Sequence, residues 1–454
     1  MSLKKQFARY AIPSVVSMWV FSVYTMVDGM FVAWGVGETA LAAVNISLPF
    51  TNFIFALSLL FSAGTSTVTA ILSGEGNYKR AGQVFTMNTV VLAAIGALIV
   101  AASLLMLDPM ARMLGATEST FGYVTDYLRI IICFAPCFII SYSLEVLIKT
   151  DGFPQLATVG IIASALLNCV LDYLFVLVFH WGVTGAAVAT GLAQLFLVLL
   201  FLHHFLKRKG MLKFQRFPWT FGIYRKILSI GMADCVTEMS IGIVVFLFNR
   251  TILSHIGEAA IVSYTVISYV NNLVLMTTTG IAQGMQPLSS FYYGKRDSAS
   301  CHRLLRYGLV CVTAASLIAF AIGQLLAGPI VGIYIDGQNT QLTAYTVEAF
   351  RKFSFSFLLL GYNVLLAGFF TSIAKPVYSM TISLGRGLVL IAVCLAVLPW
   401  VFGENGIWFS TLVSEGLCLI PSLFFLNRYR RSAASETDQE GIREKSAREA
   451  RTEA

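Results

Sequence analysis

Long apolar stretches, broken by short polar or glycine-bearing turns, recur from one end of the chain to the other. Twelve of them run near 10–34, 41–72, 84–107, 121–148, 155–179, 183–206, 226–254, 260–293, 304–330, 347–373, 377–402 and 406–427. Each meets the requirement of about 20 mostly apolar residues for a bilayer-crossing helix. The alternating segments of about 10 residues that mark a transmembrane barrel do not occur. The pattern predicts an all-α polytopic membrane protein with twelve transmembrane helices, called spans 1 to 12 below.

The pattern also repeats. Shifted by 220 residues, 37–74 lies on 257–294 without a gap: Gly37, Glu38 and Ala40 meet Gly257, Glu258 and Ala260, Asn52 meets Asn272, and Gly64 and Gly74 meet Gly284 and Gly294. Asp151 to Pro154 answers Ile373 to Pro376, and Trp181 to Gly185 answers Phe402 to Gly406. Residues 1–206 are therefore expected as one six-helix bundle and 226–427 as a second. The basic stretch 207–225 forms a cytoplasmic linker, and 428–454 a charged cytoplasmic tail to which no function is assigned. Six spans per half bring both halves in from the same side, related by a pseudo-two-fold axis along the membrane normal. Facing bundles of this kind can open a shared cavity to either side in turn.

Composition agrees. Of 454 residues 57% are hydrophobic and 12% charged, against about 25% charged in soluble domains, which excludes a soluble enzyme. The formal charge of +8 does not imply nucleic acid, because 25 of the 31 basic residues fall on one side when the N-terminus is placed in the cytoplasm. The positive-inside rule then sets both termini in the cytoplasm, in the cytoplasmic (inner, plasma) membrane. The start, MSLKKQFARYAIPS, leads into a span too long for a cleavable signal. The eight cysteines are scattered, and Cys133 and Cys137 share a helix face without forming a CxxC motif, so buried free thiols are expected.

An ionisable residue within the hydrocarbon costs at least about 2.5–3.5 kcal/mol and persists mainly where it works. Six acids fall inside spans: Asp28, Glu145, Asp172, Asp234, Glu238 and Glu415. Asn168 and Asp172, four apart, share a face of span 5. Thr190 on the Gly/Ala-rich span 6 can add a hydroxyl, and Asp28 on span 1 a second carboxylate. These hard oxygens suit Na⁺, while two neighbouring buried acids suit H⁺ equally; a structural hydrogen-bond network is the plainer alternative. Glu238 and Asp234 on span 7 are candidate contacts for a cationic substrate, with Asn272 and Gln283 on span 8 added to that set; Asp234 has Lys226 or a headgroup as an alternative partner. Glu415 and Arg386, and Glu145 and Lys149, are expected to neutralise each other. Pro13 can kink span 1. No metal triad of histidines, GxSxG, P-loop or usable GxGxxG supports an enzyme.

The segments MVDGMFVAWGVGETALAAVNISLPF, LLNCVLDYLFV with WGVTGAAVATG, and GIAQGMQPLSSFYYG resemble the multidrug and toxic compound extrusion (MATE) family over residues 7–427. The resemblance implies twelve helices in two bundles and export of amphipathic, often cationic compounds against Na⁺ or H⁺. A prokaryotic branch of the family holds its coupling ion in the N-terminal bundle. The matching positions here are Asp28, Asn168, Asp172 and Thr190, with Pro13 as the kink of span 1. Span 10 departs from relatives that carry an acid there, Asn363 being its nearest polar group. The second-half counterparts of Asp28 and Asp172 are Phe248 and Cys394, and only Thr190 keeps its type, at Thr411. The expectation is a monomeric secondary active antiporter exporting lipophilic cations among membrane lipids, with no cofactor beyond the coupling Na⁺ or H⁺. The alternative is a lipid-linked oligosaccharide flippase of related architecture.

Overall fold

The computed structural model describes residues 2–335 and 340–452, with side chains as far as Arg431. The side chains of most of the charged tail therefore lie outside the described residues. Sixteen α-helices are seen among those described: α1 (Leu3–Gly35), α2 (Glu38–Gly74), α3 (Tyr78–Leu105), α4 (Leu107–Met113), α5 (Phe121–Thr150), α6 (Pro154–Asp172), α7 (Gly182–Leu206), α8 (Phe221–His255), α9 (Ala259–Gly294), α10 (Ser298–Leu325), α11 (Ala327–Tyr334), α12 (Thr340–Ser354), α13 (Phe357–Ser372), α14 (Pro376–Leu384), α15 (Leu390–Phe402) and α16 (Glu404–Thr452). Eleven helical segments are long and apolar enough to cross a membrane, and α12 with α13 makes a twelfth, bent by 43°. A helix satisfies its own backbone, which is why apolar chain can cross lipid in this form.

Two spans contain a π-helical turn, Tyr173–Val178 after α6 and Gly385–Val389 between α14 and α15. The expected single span over 347–373 instead starts at Thr340 and breaks at Phe355–Ser356. Gln324 of α10 explains the break, since its amide donates to the Arg351 carbonyl and to Ser354 Oγ, both at 2.8 Å. In α1 the helix runs continuously through Pro13, whose carbonyl accepts hydroxyl hydrogen bonds from Ser17 (2.9 Å) and from Thr158 of α6 (2.8 Å).

The repeat is written into the turns. Gly37 and Gly257 both have left-handed φ, at 113° and 121°, a conformation open chiefly to glycine. Asn77 caps α3 and Asp297, 220 residues on, caps α10. The two halves meet where α1 packs on α9 and α2 packs on α8 and α9. Six glycines make that approach possible. A methyl on Gly64, Gly231, Gly74 or Gly294 would overlap the carbonyl oxygen of Ile227, Leu60, Phe291 or Ile71 respectively, and one on Gly280 or Gly284 would crowd the α1 backbone at Val15 or Ala11.

The segment joining the halves is more than a tether. Leu212 is buried among Phe85, Leu147 and Phe205, and its N–H donates to Asp151 Oδ1 at 2.6 Å. Asp151 Oδ2 lies 2.8 Å from His204 Nε2. Burial pushes the Asp151 carboxyl up from its ordinary value, against the lowering pull of the Leu212 N–H and His204. Away from these contacts the outer surface is apolar, with Leu98, Leu199, Phe246, Ile318 and Trp400 all exposed. A surface of this kind belongs in lipid.

Candidate functional site

Asp28, Asn168, Asp172 and Thr190 lie together in the first half. Asp172 closes α6 and Asn168 stands one turn earlier, both fully buried. Thr190 of α7 donates to Asp28 Oδ1 of α1 at 3.4 Å and accepts from Asn168 Nδ2 at 3.4 Å. Asp28 and Asp172 act on each other electrostatically. Neither oxygen of Asp172 nor the side-chain oxygen of Asn168 accepts from a donor group, and the Asp172 carboxyl lies within hydrogen-bond reach of that of Asp28, so the pair can share a proton. The π turn that begins at Tyr173 directly after Asp172 widens the helix there, a feature often found at functional sites.

Two acids buried together need a counter-charge or a proton. No lysine, arginine or histidine is paired with either acid among the described residues. The donor set is oxygen only: two carboxylates, an amide oxygen and a hydroxyl. That chemistry fits a hard cation. Among the described residues no group of three His, Cys, Asp or Glu side chains gathers as a metal site.

Between the halves lies a cavity whose empty space, counted out through its open mouth into solvent, is about 1790 Å³. Its first-half wall is aromatic: Phe55 and Tyr142 meet edge to face at 4.2 Å, with Phe21 beside them at 6.1 Å from Phe55. Asp234 and Glu238 of α8 line it, as does Gln283 of α9. Neither acid joins an ion pair among the described residues, so the alternative pairing of Asp234 with Lys226 is not found. Asn272 is not on the lining; it turns to α1 and donates to Ser22 Oγ at 3.4 Å. The cluster of Asp28, Asn168, Asp172 and Thr190 is also off the lining.

Both cations on the lining are already engaged. Lys149 pairs with Glu145 at 2.7 Å. Arg386, on the second π turn, donates to Glu415 Oε1 through Nη2 at 2.9 Å and Nε at 3.1 Å. Asn363 of α13 donates to Glu415 Oε2 at 2.8 Å and accepts from Ser422 at 2.8 Å. At the matching place in the first half, Ser141 donates to Gln194 at 2.7 Å. The acid cluster itself is not repeated: Phe248 is buried and stacked on Tyr264 at 4.7 Å, and Cys394 is buried.

Sequence reasoning missed Tyr24 and Tyr127. Tyr24 lines the cavity, and both it and Tyr127 of α5 lie in the field of the Asp28 and Asp172 carboxyls. The signal for Tyr24 was its place one helical turn before Asp28, on the same face.

The MatE family model matches residues 13–174 and 235–398. The chain is 22% identical over 442 residues to the multidrug export protein MepA of Staphylococcus aureus (strain bovine RF122 / ET3-1), covering 96% of each chain. It is 22% identical over 432 residues to MepA of Staphylococcus saprophyticus, covering 94% of each. Among solved structures, a MATE protein in its bent conformation is similar with a TM-score of 0.88 at 23% identity, over 96% of this chain and 97% of that one. A multidrug resistance MATE family transporter in an outward-facing conformation is similar with a TM-score of 0.89 at 22% identity, over 96% and 97%.

Proposed function

The chain belongs to the MatE family, and from that premise we propose that it is a secondary active antiporter that exports amphipathic cations in exchange for Na⁺ or H⁺. The observation that carries this reading is the separation of two acidic sites. One is the buried Asp28–Asp172 cluster, two carboxyls with no cationic partner among the described residues, and the other is the unpaired Asp234 and Glu238 on an apolar, aromatic cavity. The first suits a small hard cation or a proton. The second suits an organic cation, whose flat apolar body can pack on Phe21, Phe55 and Tyr142. Relatives named as multidrug export proteins support an export role over an enzymatic one.

Orientation follows the positive-inside rule, with both termini in the cytoplasm of the cell whose plasma membrane holds the protein. The glycine contacts at Gly74 and Gly294 then lie at the cytoplasmic ends of α2 and α9, so the conformation is closed on that side. Coupling runs through α1. Asp28 sits on the same helix as the cavity residues Ser17, Phe21 and Tyr24, and the Pro13 carbonyl ties that helix to α6, which carries Asp172. Ion or proton entry from outside would neutralise Asp28 and Asp172, let α1 shift, and release the drug outward. The emptied carrier would return inward, lose the ion and reload. A lipid-linked oligosaccharide flippase would need free cations for pyrophosphate, and Lys149 and Arg386 are both committed to acids.

Efflux of a fluorescent lipophilic cation from proteoliposomes tests the reading, with wild type and Asp28→Asn compared under an imposed Na⁺ or pH gradient. The expected result is efflux driven by one of the two gradients and lost in the variant. Failure of wild type under both gradients would overturn antiport and make lipid-linked substrates the next to try.

A further inference from the structure

A second, smaller crevice lies where the linker crosses the start of α3, and the transport reading leaves it unused. Its empty space, counted out into open solvent, is about 490 Å³; Val84, Met87, Phe217 and Ile223 give it an apolar lining, to which Arg80 and Thr220 add exposed polar groups. Its walls are fastened. Gln83 Nε2 donates to the Arg216 carbonyl at 3.2 Å, and the Gln215 N–H donates to Thr86 Oγ1 at 2.9 Å. The surroundings carry charge of one sign: seven basic residues lie between Lys207 and Lys226, and no acid occurs between Asp172 and Asp234. Neither Arg80 nor Arg216 joins an ion pair among the described residues. Trp219 and Phe221 stand 64% and 90% exposed beside it, as aromatic side chains do at the headgroup level of a membrane.

We propose that this crevice binds the headgroup of an anionic phospholipid, with the phosphate drawn to Arg80 on the lining and to the exposed Arg216 on the adjoining linker, and the first carbons of the lipid on the apolar part of that lining. Basic clusters immediately cytoplasmic to a transmembrane helix attract anionic headgroups. Here the cluster is joined to a fixed apolar recess, which free inorganic phosphate would not need. The recess is built from α3 of the first half, the linker, and the start of α8 in the second half. A lipid seated there touches both halves at their only covalent joint.

Trp219 supplies the readout. The full chain is placed in phosphatidylcholine nanodiscs doped with brominated phosphatidylglycerol or brominated phosphatidylcholine, and the quenching absent from Trp219→Phe is assigned to Trp219. The anionic lipid is expected to quench at a lower mole fraction than the zwitterionic one. Each of Arg80→Gln and Arg216→Gln should cut that preference about fivefold. Thr220→Phe, which fills the crevice without changing charge, should cut it as well. Equal quenching by the two lipids would overturn the proposal. So would a preference that survives both arginine changes, retention in Thr220→Phe, or displacement of the lipid by soluble glycerol 3-phosphate.

Discussion

A carboxylate costs most where no donor reaches it, and Asp172 is buried with no donor on either oxygen and only the Asp28 carboxyl beside it. Removing its charge while keeping its shape should separate stability from transport. In Na⁺-free buffer at alkaline pH, Asp172→Asn is expected to stabilise the protein by about 1–3 kcal/mol and to abolish ion-driven efflux. Thermal unfolding in detergent beside proteoliposome flux reads both, and losing stability and flux together would reduce the acid to a structural role. The control must come from the second half, and Phe248 is unsuitable because truncating a buried, stacked ring costs about 3–5 kcal/mol by itself. Cys394→Ala is the fair comparison and should keep its flux. Glu415 should behave oppositely to Asp172. Its loss leaves Arg386, 10% exposed, without its partner, so Glu415→Ala should destabilise by about 3–5 kcal/mol. The double change Arg386→Met with Glu415→Met should cost much less, and equal losses in the two would contradict the buried-pair account. Sequence made both ion pairs readable, since Lys149 stands one helical turn after Glu145 and Arg386 is a basic residue within span 11 with the acid Glu415 on the neighbouring span 12. It could not show that Asn272 turns away from the cavity, because one helix face looks like its neighbour until the packing of α1 on α9 is known.

Helix positions and lengths are dictated by lipid, so the twelve spans were legible to within several residues at most ends. Their interruptions were not. The break after Ser354 depends on Gln324, thirty residues earlier and on another helix, and nothing local to Phe355–Ser356 announces it. The two π turns carry no glycine or proline signature in common, yet one follows Asp172 and the other holds Arg386. Proline in span 1 was visible, but the second role of its carbonyl was not. The helix continues, and the Pro13 carbonyl becomes an anchor for Thr158. Cutting that anchor with Thr158→Val removes one hydroxyl without changing side-chain shape much. If α1 transmits ion occupancy to the cavity, this variant should still bind a cationic dye while moving fewer drug molecules per ion. A transport ratio equal to wild type, measured with dye and ²²Na⁺ or a pH probe, would detach Pro13 from coupling.

At the scale of the whole molecule the repeat in the sequence becomes a contact between the halves. Gly74 rests on the Phe291 carbonyl and Gly294 on the Ile71 carbonyl, and the two contacts exchange under the same shift of 220 residues that aligned the halves. Backbones this close cannot slide past one another gradually; they separate or stay shut. Two perturbations with opposite effects follow. Gly64→Ala puts a methyl into the Ile227 carbonyl, an overpacking cost of about 1–3 kcal/mol on the closed form alone. That moves the open-to-closed ratio at least about fivefold. Gln286→Cys, on the cavity lining, should then react faster with an impermeant maleimide added from the cytoplasmic side. Conversely, Glu75 and Lys295 are exposed residues that directly follow Gly74 and Gly294. A short reducible cross-linker between Glu75→Cys and Lys295→Cys should hold the cytoplasmic side shut. Efflux should stop and return on reduction, while dye added from outside still binds. Continued transport by the cross-linked protein would mean that these ends need not part, and alternating access through this interface would have to be abandoned.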